Sequence, residues 1–427
     1  MEKEKQQKTI SEIEEFLRSI IEKLEPIKSD PIGKGRPRIL PALCLWAGVI
    51  VCVLQGWNSQ LGIWRLLHQK GLWDYPRFPI TDQAIYKRLE KDGSKSLKRL
   101  FEMVSAALRE RLQDYAQPVI KLTKEVVAID ATSLDKVART LPILRSVPNG
   151  DKRLLPGKLA GVFDIGLQQW ITITHIENPV ENDKKEARQL LEHIHKGALI
   201  LADLGYFGFS WFDELTAKGY FWLSRLREKT SFEIIHTYYK KGNTFDGLVW
   251  LGAYRADQAR FAVRLVSFQV GKKVFRYITN VKDPQQLSIH EIATLYARRW
   301  DIEMAFKLIK RELGLNLFWS SKTEVILQQV WAVLTIAQIL HAIQLEIASK
   351  AGVDLFDVSL PLIVKYLPGW NDIDFIAFIV ETGRDGGFIR PSRRVSIQTP
   401  EVLMSDYLSA PPDLVLERIP RYAGRRC

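Results

Sequence analysis

Two short runs of this chain are apolar and stop at an aspartate: Glu125-Val-Val-Ala-Ile-Asp130 and Ala198-Leu-Ile-Leu-Ala-Asp203. A strand with one face in water alternates polar and apolar residues, so a run without alternation belongs to a strand covered on both faces. The second run fits a central parallel strand. A chain that contains it must build a sheet and cover both of its sides.

Around these runs the pattern predicts strands at Leu159 to Ile165 and Trp170 to Ile176, a polar helix from Asn182 to Lys196, a helix from Phe209 to Lys218 and a strand from Tyr220 to Ser224. The order β-β-β-α-β-α-β is that of a ribonuclease-H-like mixed sheet. In such a sheet the first and fourth strands lie side by side and parallel, which places Asp130 and Asp203 together. Further β-rich runs between Thr230 and Val281, separated by Gly-Asn and Gly-Lys-Lys turns, read as an inserted β subdomain. The expected fold is therefore α/β: helical residues 1–118, a catalytic domain of residues 119–229 and 286–345, a β-rich insertion of residues 230–285, and a helical region with a basic tail over residues 346–427.

At 427 residues the chain is too long for one ordinary core. Its 61 Lys and Arg against 49 Asp and Glu give a net charge of +12, which favours a polyanionic partner such as nucleic acid. Cys44, Cys52 and Cys427 offer neither a disulfide framework nor metal spacing, consistent with a reducing cytoplasm. The charged first residues carry no secretory signal. Ile39 to Leu54 is apolar but shorter than the roughly 20 residues a bilayer needs, so it reads as a core helix and no membrane is expected.

A helix near residue 300 carries the most concentrated chemistry. At about 100° per residue, Tyr296, Arg299, Glu303 and Lys310 fall within roughly 60° of one another, beside an apolar stripe of Leu295, Ile302, Phe306, Ile309 and Leu313. A solvated face with ordinary pairs such as Glu303 with Lys307 explains this stripe as well as a functional edge does. Asp130 and Asp203 decide between them. Three carboxylates gathered at one point call for a cation, and hard oxygen ligands suit Mg²⁺ or Mn²⁺. Such a site performs phosphoryl transfer with two metal ions. Asp135, Asp164, Asp183 and Asp301 are other acids available to it, although Asp301 lies about 160° from Glu303 around the helix.

Ser59 to Gly71 and Thr81 to Leu89 read as two short helices, a pattern shared by helix-turn-helix units and by many ordinary helical pairs. In the first case Gln83, Tyr86, Lys87 and Arg88 would face DNA. A basic link, residues 31–38, precedes them. Other chemistry fits less well: Gly208-Phe-Ser-Trp-Phe212 lacks a nucleophile elbow's second Gly, Gly33-Lys-Gly-Arg lacks the Walker pattern, and His193 and His195 suit a solvated face.

The spacing Tyr-x2-Arg-x3-Glu-x6-Lys, matched by Tyr296, Arg299, Glu303 and Lys310, resembles the motif of the insertion-sequence-four (IS-four) family of bacterial DDE transposases. Asp130 in Ala-Ile-Asp-Ala-Thr and Asp203 in Ala-Asp-Leu-Gly-Tyr-Phe resemble that family's two Asp motifs. The likeness spans residues 120 to about 345. Family members often carry Arg where Leu204 stands, so a phosphate contact from that position is not carried over.

The resemblance implies a cut-and-paste transposase whose catalytic and metal-binding residues are Asp130, Asp203 and Glu303, with two Mg²⁺ that Mn²⁺ can replace. Tyr296, Arg299 and Lys310 would border the DNA. It also implies a Trp in the β insertion that holds a flipped base; Trp250 is the candidate, with a core Trp as the other reading. Double-stranded DNA, at element ends and target, is the implied partner, with a homodimer as the active assembly, a hairpin on the second strand and a nucleoid-associated cytoplasmic location. A ribonuclease-H-like nuclease that never joins strands and a non-catalytic DNA-binding regulator are the alternatives.

Overall fold

In this computed structural model the described residues are 12–23, 39–57, 59–116, 118–134, 157–178, 183–253, 257–315, 317–320, 322–370, 374–392, 394 and 397–422. The basic link at 31–38 and Asp135 lie outside them. Among the described residues nine strands form one sheet: β1 Val126–Ser133, β2 Lys158–Asp164, β3 Gln169–Ile176, β4 Leu199–Ala202, β5 Phe221–Arg225, β6 Phe232–Lys241, β7 Thr244–Leu251, β8 Val263–Val270 and β9 Lys273–Thr279. Their order is β3-β2-β1-β4-β5-β9-β8-β7-β6. Only β1 with β4 and β4 with β5 are parallel, so this is a mixed α/β protein with a large, mostly antiparallel sheet.

The strands of residues 230–285, set apart in the sequence reading, continue this sheet. β9 pairs antiparallel with β5, matching Leu223 with Thr279, and β8, β7 and β6 follow outward. Alternation along the strands divides the apolar residues between two cores. Val126, Ala128, Leu199, Leu201 and Leu223 point to one face, and Val127, Ile129, Ile200 and Trp222 to the other.

The second face is covered by α6 (Asp183–Leu190) and α7 (Phe209–Ala217). The first takes the rest of the helices: α1 (Glu12–Ile21), α2 (Ala42–Leu54), α3 (Gln60–Trp64) with a π turn at Arg65–Lys70, α4 (Asp82–Asp92), α5 (Lys95–Leu112), α8 (Ile289–Arg298), α9 (Trp300–Lys307), α10 (Thr323–Ala351), α11 (Leu360–Tyr366) and α12 (Phe375–Thr382). Helix α10 is long and apolar enough to cross a membrane, but 94% of its apolar window is buried inside the protein. It ties the N-terminal helices to the sheet. Gln338 donates to Trp170 O and Ser105 Oγ, and Gln328 donates to Leu89 O. Apolar α2 is buried too, as its composition predicts.

Helix α4 begins as expected, with Thr81 accepting from the Ala84 amide. Between Lys70 and Asp82, however, lie eleven residues, where a helix-turn-helix unit has a turn of about 3–4.

Candidate active site

The register of the parallel strands sets the site. Ile129 pairs with Ala202, so Asp130 and Asp203 stand level, one residue further along neighbouring strands. Ala202 in turn pairs with Ser224, which brings Arg225 into the same row. Asp130 alternates with Ala128, and Asp203 with Leu201, so both belong to the face that α8 and α9 cover. Beyond Ala202 the chain leaves the sheet, and Asp203 opens a short 3₁₀ turn, Leu204–Tyr206, without capping it by its side chain.

The third carboxylate comes from a helix fixed at its start by a capping box: Ser288 Oγ accepts from the Glu291 amide, and Glu291 accepts from the Ser288 amide. Tyr296, Ile302, Phe306 and Ile309 bury its apolar stripe. The helix is not regular. Its hydrogen bonding breaks at Arg299, between α8 and α9, and Leu308–Glu312 form a π turn. The 3.6-residue wheel therefore stops short of Lys310, whose direction is set by the wider turn.

Arg299 joins the acids. Its side chain is only 7% exposed; Nη2 lies 2.7 Å from Glu303 Oε1, and Nε lies 3.9 Å from Asp203 Oδ1, too far for a hydrogen bond. Asp203 and Glu303 keep 44% and 31% of their side-chain surfaces exposed, so the group opens to solvent. Burial pushes the Asp130 carboxyl up to about 6; the Ala131 amide and Arg299 oppose this, while Glu303 and Asp203 add to it. Lys310 Nζ donates to Thr132 Oγ1 and, at 3.3 Å, to Ser133 O, fastening the π turn to the end of β1.

Tyr296 is buried against Tyr277, with its ring centre 5.9 Å from each of the Arg225 and Arg299 guanidinium carbons. Burial raises its phenol to about 12, so it stays a donor, and Oη has no hydrogen-bond partner among the described residues. An orphaned buried donor beside a solvent-open acidic group suits a ligand contact.

By type the donors suit a hard divalent cation, being carboxylate oxygens, although it is burial first, and Glu303 and Asp203 only after it, that makes Asp130 hard to ionise. Yet among the described residues no three acidic, His or Cys side chains stand at metal-ligand spacing. Arg299 stands between two of the acids. Asp301 faces away, fully buried and paired with Arg298 and Arg394, and Asp164 holds the Gly166 and Leu167 amides in a turn.

Two residues expected at the DNA are engaged by other parts of the chain. Arg88 turns inward, pairing with Asp92 and donating to Leu40 O, because a guanidinium flanked by these acceptors gains more from them than from solvent; only Lys87 of that pair is exposed. Trp250 is 8% exposed, and the Arg418 guanidinium covers its ring at 4.6 Å, held there by Leu251 O and Ala259 O. The exposed indole beside Glu303 is Trp300, 55% exposed, with Arg299 5.5 Å from its ring centre. Sequence reasoning also passed over Arg225 and Arg227. Arg227 Nη2 donates to Leu204 O at 3.1 Å, bringing a guanidinium to the very residue where the expected Arg is missing. Strand register places Arg225, and the chain just beyond β5 carries Arg227 to Leu204 O; no spacing motif could give either.

Known proteins resemble the chain in this region. A family profile described as a transposase DDE domain matches residues 121–339, just over half of the chain. Over 169 residues the chain is 28% identical to the transposase InsG for insertion sequence element IS4 of Escherichia coli (strain K12), which covers 36% of this chain and 37% of that protein, so the match spans well under half of the relative. Among solved structures, the cryo-EM structure of the piggyBac transposase synaptic complex with hairpin DNA aligns with a TM-score of 0.43 and 9% identity, covering 90% of this chain and 84% of that one.

Proposed function

The chain belongs to the DDE-domain transposases, of the IS4 kind, and from that premise we propose that it cuts and joins DNA at the ends of a bacterial insertion sequence. The observation that carries this reading is the parallel register of Ile129 with Ala202, which brings the next residues, Asp130 and Asp203, together, with Arg299 2.7 Å from Glu303 and 3.9 Å from Asp203. The strand order β3-β2-β1-β4-β5 supports a ribonuclease-H-like core, which β6 to β9 extend.

Asp130, Asp203 and Glu303 would hold two Mg²⁺, which when bound stabilise the attacking and leaving oxygens of an in-line displacement. In cleavage, water bonds to the scissile phosphorus and the bond to the 3′-oxygen breaks, leaving a 3′-hydroxyl and a 5′-phosphate. In joining, that hydroxyl attacks a target phosphorus and the target's own 3′-oxygen leaves. Both reactions need the phosphate held in place and its charge countered. Arg225, Arg299, Lys310 and the Tyr296 hydroxyl supply the nearby donors, and Arg227 beside Leu204 supplies a further cation. Trp300, exposed next to Arg299, offers the stacking surface that covered Trp250 does not. A homodimer holding two element ends, with a hairpin on the second strand, completes the proposal.

The test is Mg²⁺-dependent nicking of a duplex carrying the element end. Asp130→Ala, Asp203→Ala and Glu303→Ala should each lower nicking by about 10³-fold or more while duplex binding stays within a few-fold. Nicking retained by any one of them removes that residue from the site.

A further inference from the structure

The position of Arg299 carries an inference that rests on the proposed metal site and goes beyond it. Its guanidinium sits among the same carboxylates a divalent cation would take, donating to Glu303 at 2.7 Å and standing 3.9 Å from Asp203. It is nearly buried, and Nε, aimed towards Asp203, has no hydrogen-bond partner among the described residues. While Arg299 holds Glu303 Oε1, a small cation at about 2.0–2.1 Å is left with the other lone pairs of that carboxylate and must sit beside a positive charge. One positive charge and a second one compete for one acid.

We propose that Arg299 is a built-in competitor of the divalent cation, and that a DNA phosphate, by drawing the guanidinium from Glu303, frees the carboxylates for metal. Phosphate is the better partner for the arginine once it arrives, since a guanidinium pairs readily with phosphate oxygens and Nε is already free to donate. Metal and DNA then assist each other's binding, and linkage makes that assistance reciprocal. The exposed Trp300 beside Arg299 and the Tyr296 hydroxyl, which has no hydrogen-bond partner among the described residues, lie next to the residue that must move.

The experiment measures Mn²⁺ binding to the full chain by electron paramagnetic resonance, without DNA. Arg299→Met removes the competing charge and should tighten Mn²⁺ binding by about 5-fold or more, within the range of ordinary coupling. Arg299→Lys keeps the charge and should stay near wild type. Addition of a short DNA duplex should tighten binding to wild type more than to Arg299→Met. Mn²⁺ affinity in Arg299→Met equal to or weaker than wild type, with an unchanged melting temperature, overturns the proposal. Should Arg299→Met fail to fold, Arg299→Gln is read by the same standard. Glu303→Gln and Asp130→Asn separate the two ideas: if neither weakens Mn²⁺ binding, the metal site itself is misplaced, whereas if both do and Arg299→Met gains nothing, only the competition fails.

Discussion

Asp130 works against the stability of its own fold. Its carboxyl is raised from an ordinary value near 3.8 to about 6 by burial, with Glu303 and Asp203 adding to the effect. The unfolded chain releases this proton near pH 4 and the folded chain only near pH 6, so the group's contribution is full below pH 4 and declines as pH rises through 6. Asp130→Asn should therefore be more stable than wild type at pH 8 by about 1–3 kcal/mol in EDTA, with the difference gone at pH 4; urea unfolding at the two pH values measures it. Equal stability at pH 8 would mean that burial does not penalise the carboxylate. Lys310 poses a different question, because its ammonium is fastened to Thr132 and Ser133 at the end of β1. If it also meets a DNA phosphate, Lys310→Ala should weaken duplex binding and lower the salt slope by about 1, whereas an unchanged slope confines it to holding the π turn.

Among elements, β1, β4 and the α8–α9 helix define the site, and they were unequally legible. The two strands announce themselves through apolar runs that end in Asp130 and Asp203, because a strand buried on both faces has no other way to be written. The helix is announced by the spacing of Tyr296, Arg299, Glu303 and Lys310. The break at Arg299 and the π turn at Leu308–Glu312 leave no trace in composition, since they only shift hydrogen bonds along the backbone. Arg225 and Arg227 were invisible for another reason: only the pairing of Ala202 with Ser224 brings their strand end beside the aspartates. The inward direction of Arg88, towards Asp92 and Leu40 O, could not be read, because a basic residue on an amphipathic helix reads the same whether it meets solvent or an internal carboxylate. The Ser288–Glu291 capping box fixes where the helix starts, and Ser288→Ala should cost about 1 kcal/mol in denaturant unfolding. No loss would show that packing of the apolar stripe alone sets the entry.

At the scale of the whole molecule, one nine-stranded sheet carries both the aspartates and the strands of residues 230–285. Local pattern gave each of those strands, but not that β9 joins β5, which depends on contacts distant in sequence. The arrangement places helices from both ends of the chain on the face that bears the acids, with α10 tying them to the sheet. A net charge of +12 suits such a body to DNA, although charge alone says nothing about chemistry. The central claim is that Asp130, Asp203 and Glu303 act as one site for phosphoryl transfer, and joining tests it more directly than cutting, since a nuclease also cuts. Pre-cleaved element-end DNA with a free 3′-hydroxyl, incubated with the protein, Mg²⁺ and a supercoiled plasmid, should yield plasmid covalently joined to the end. Glu303→Gln should bind the same DNA and join none. Nicking without any joined product, or joining by Glu303→Gln at the wild-type rate, would contradict the account.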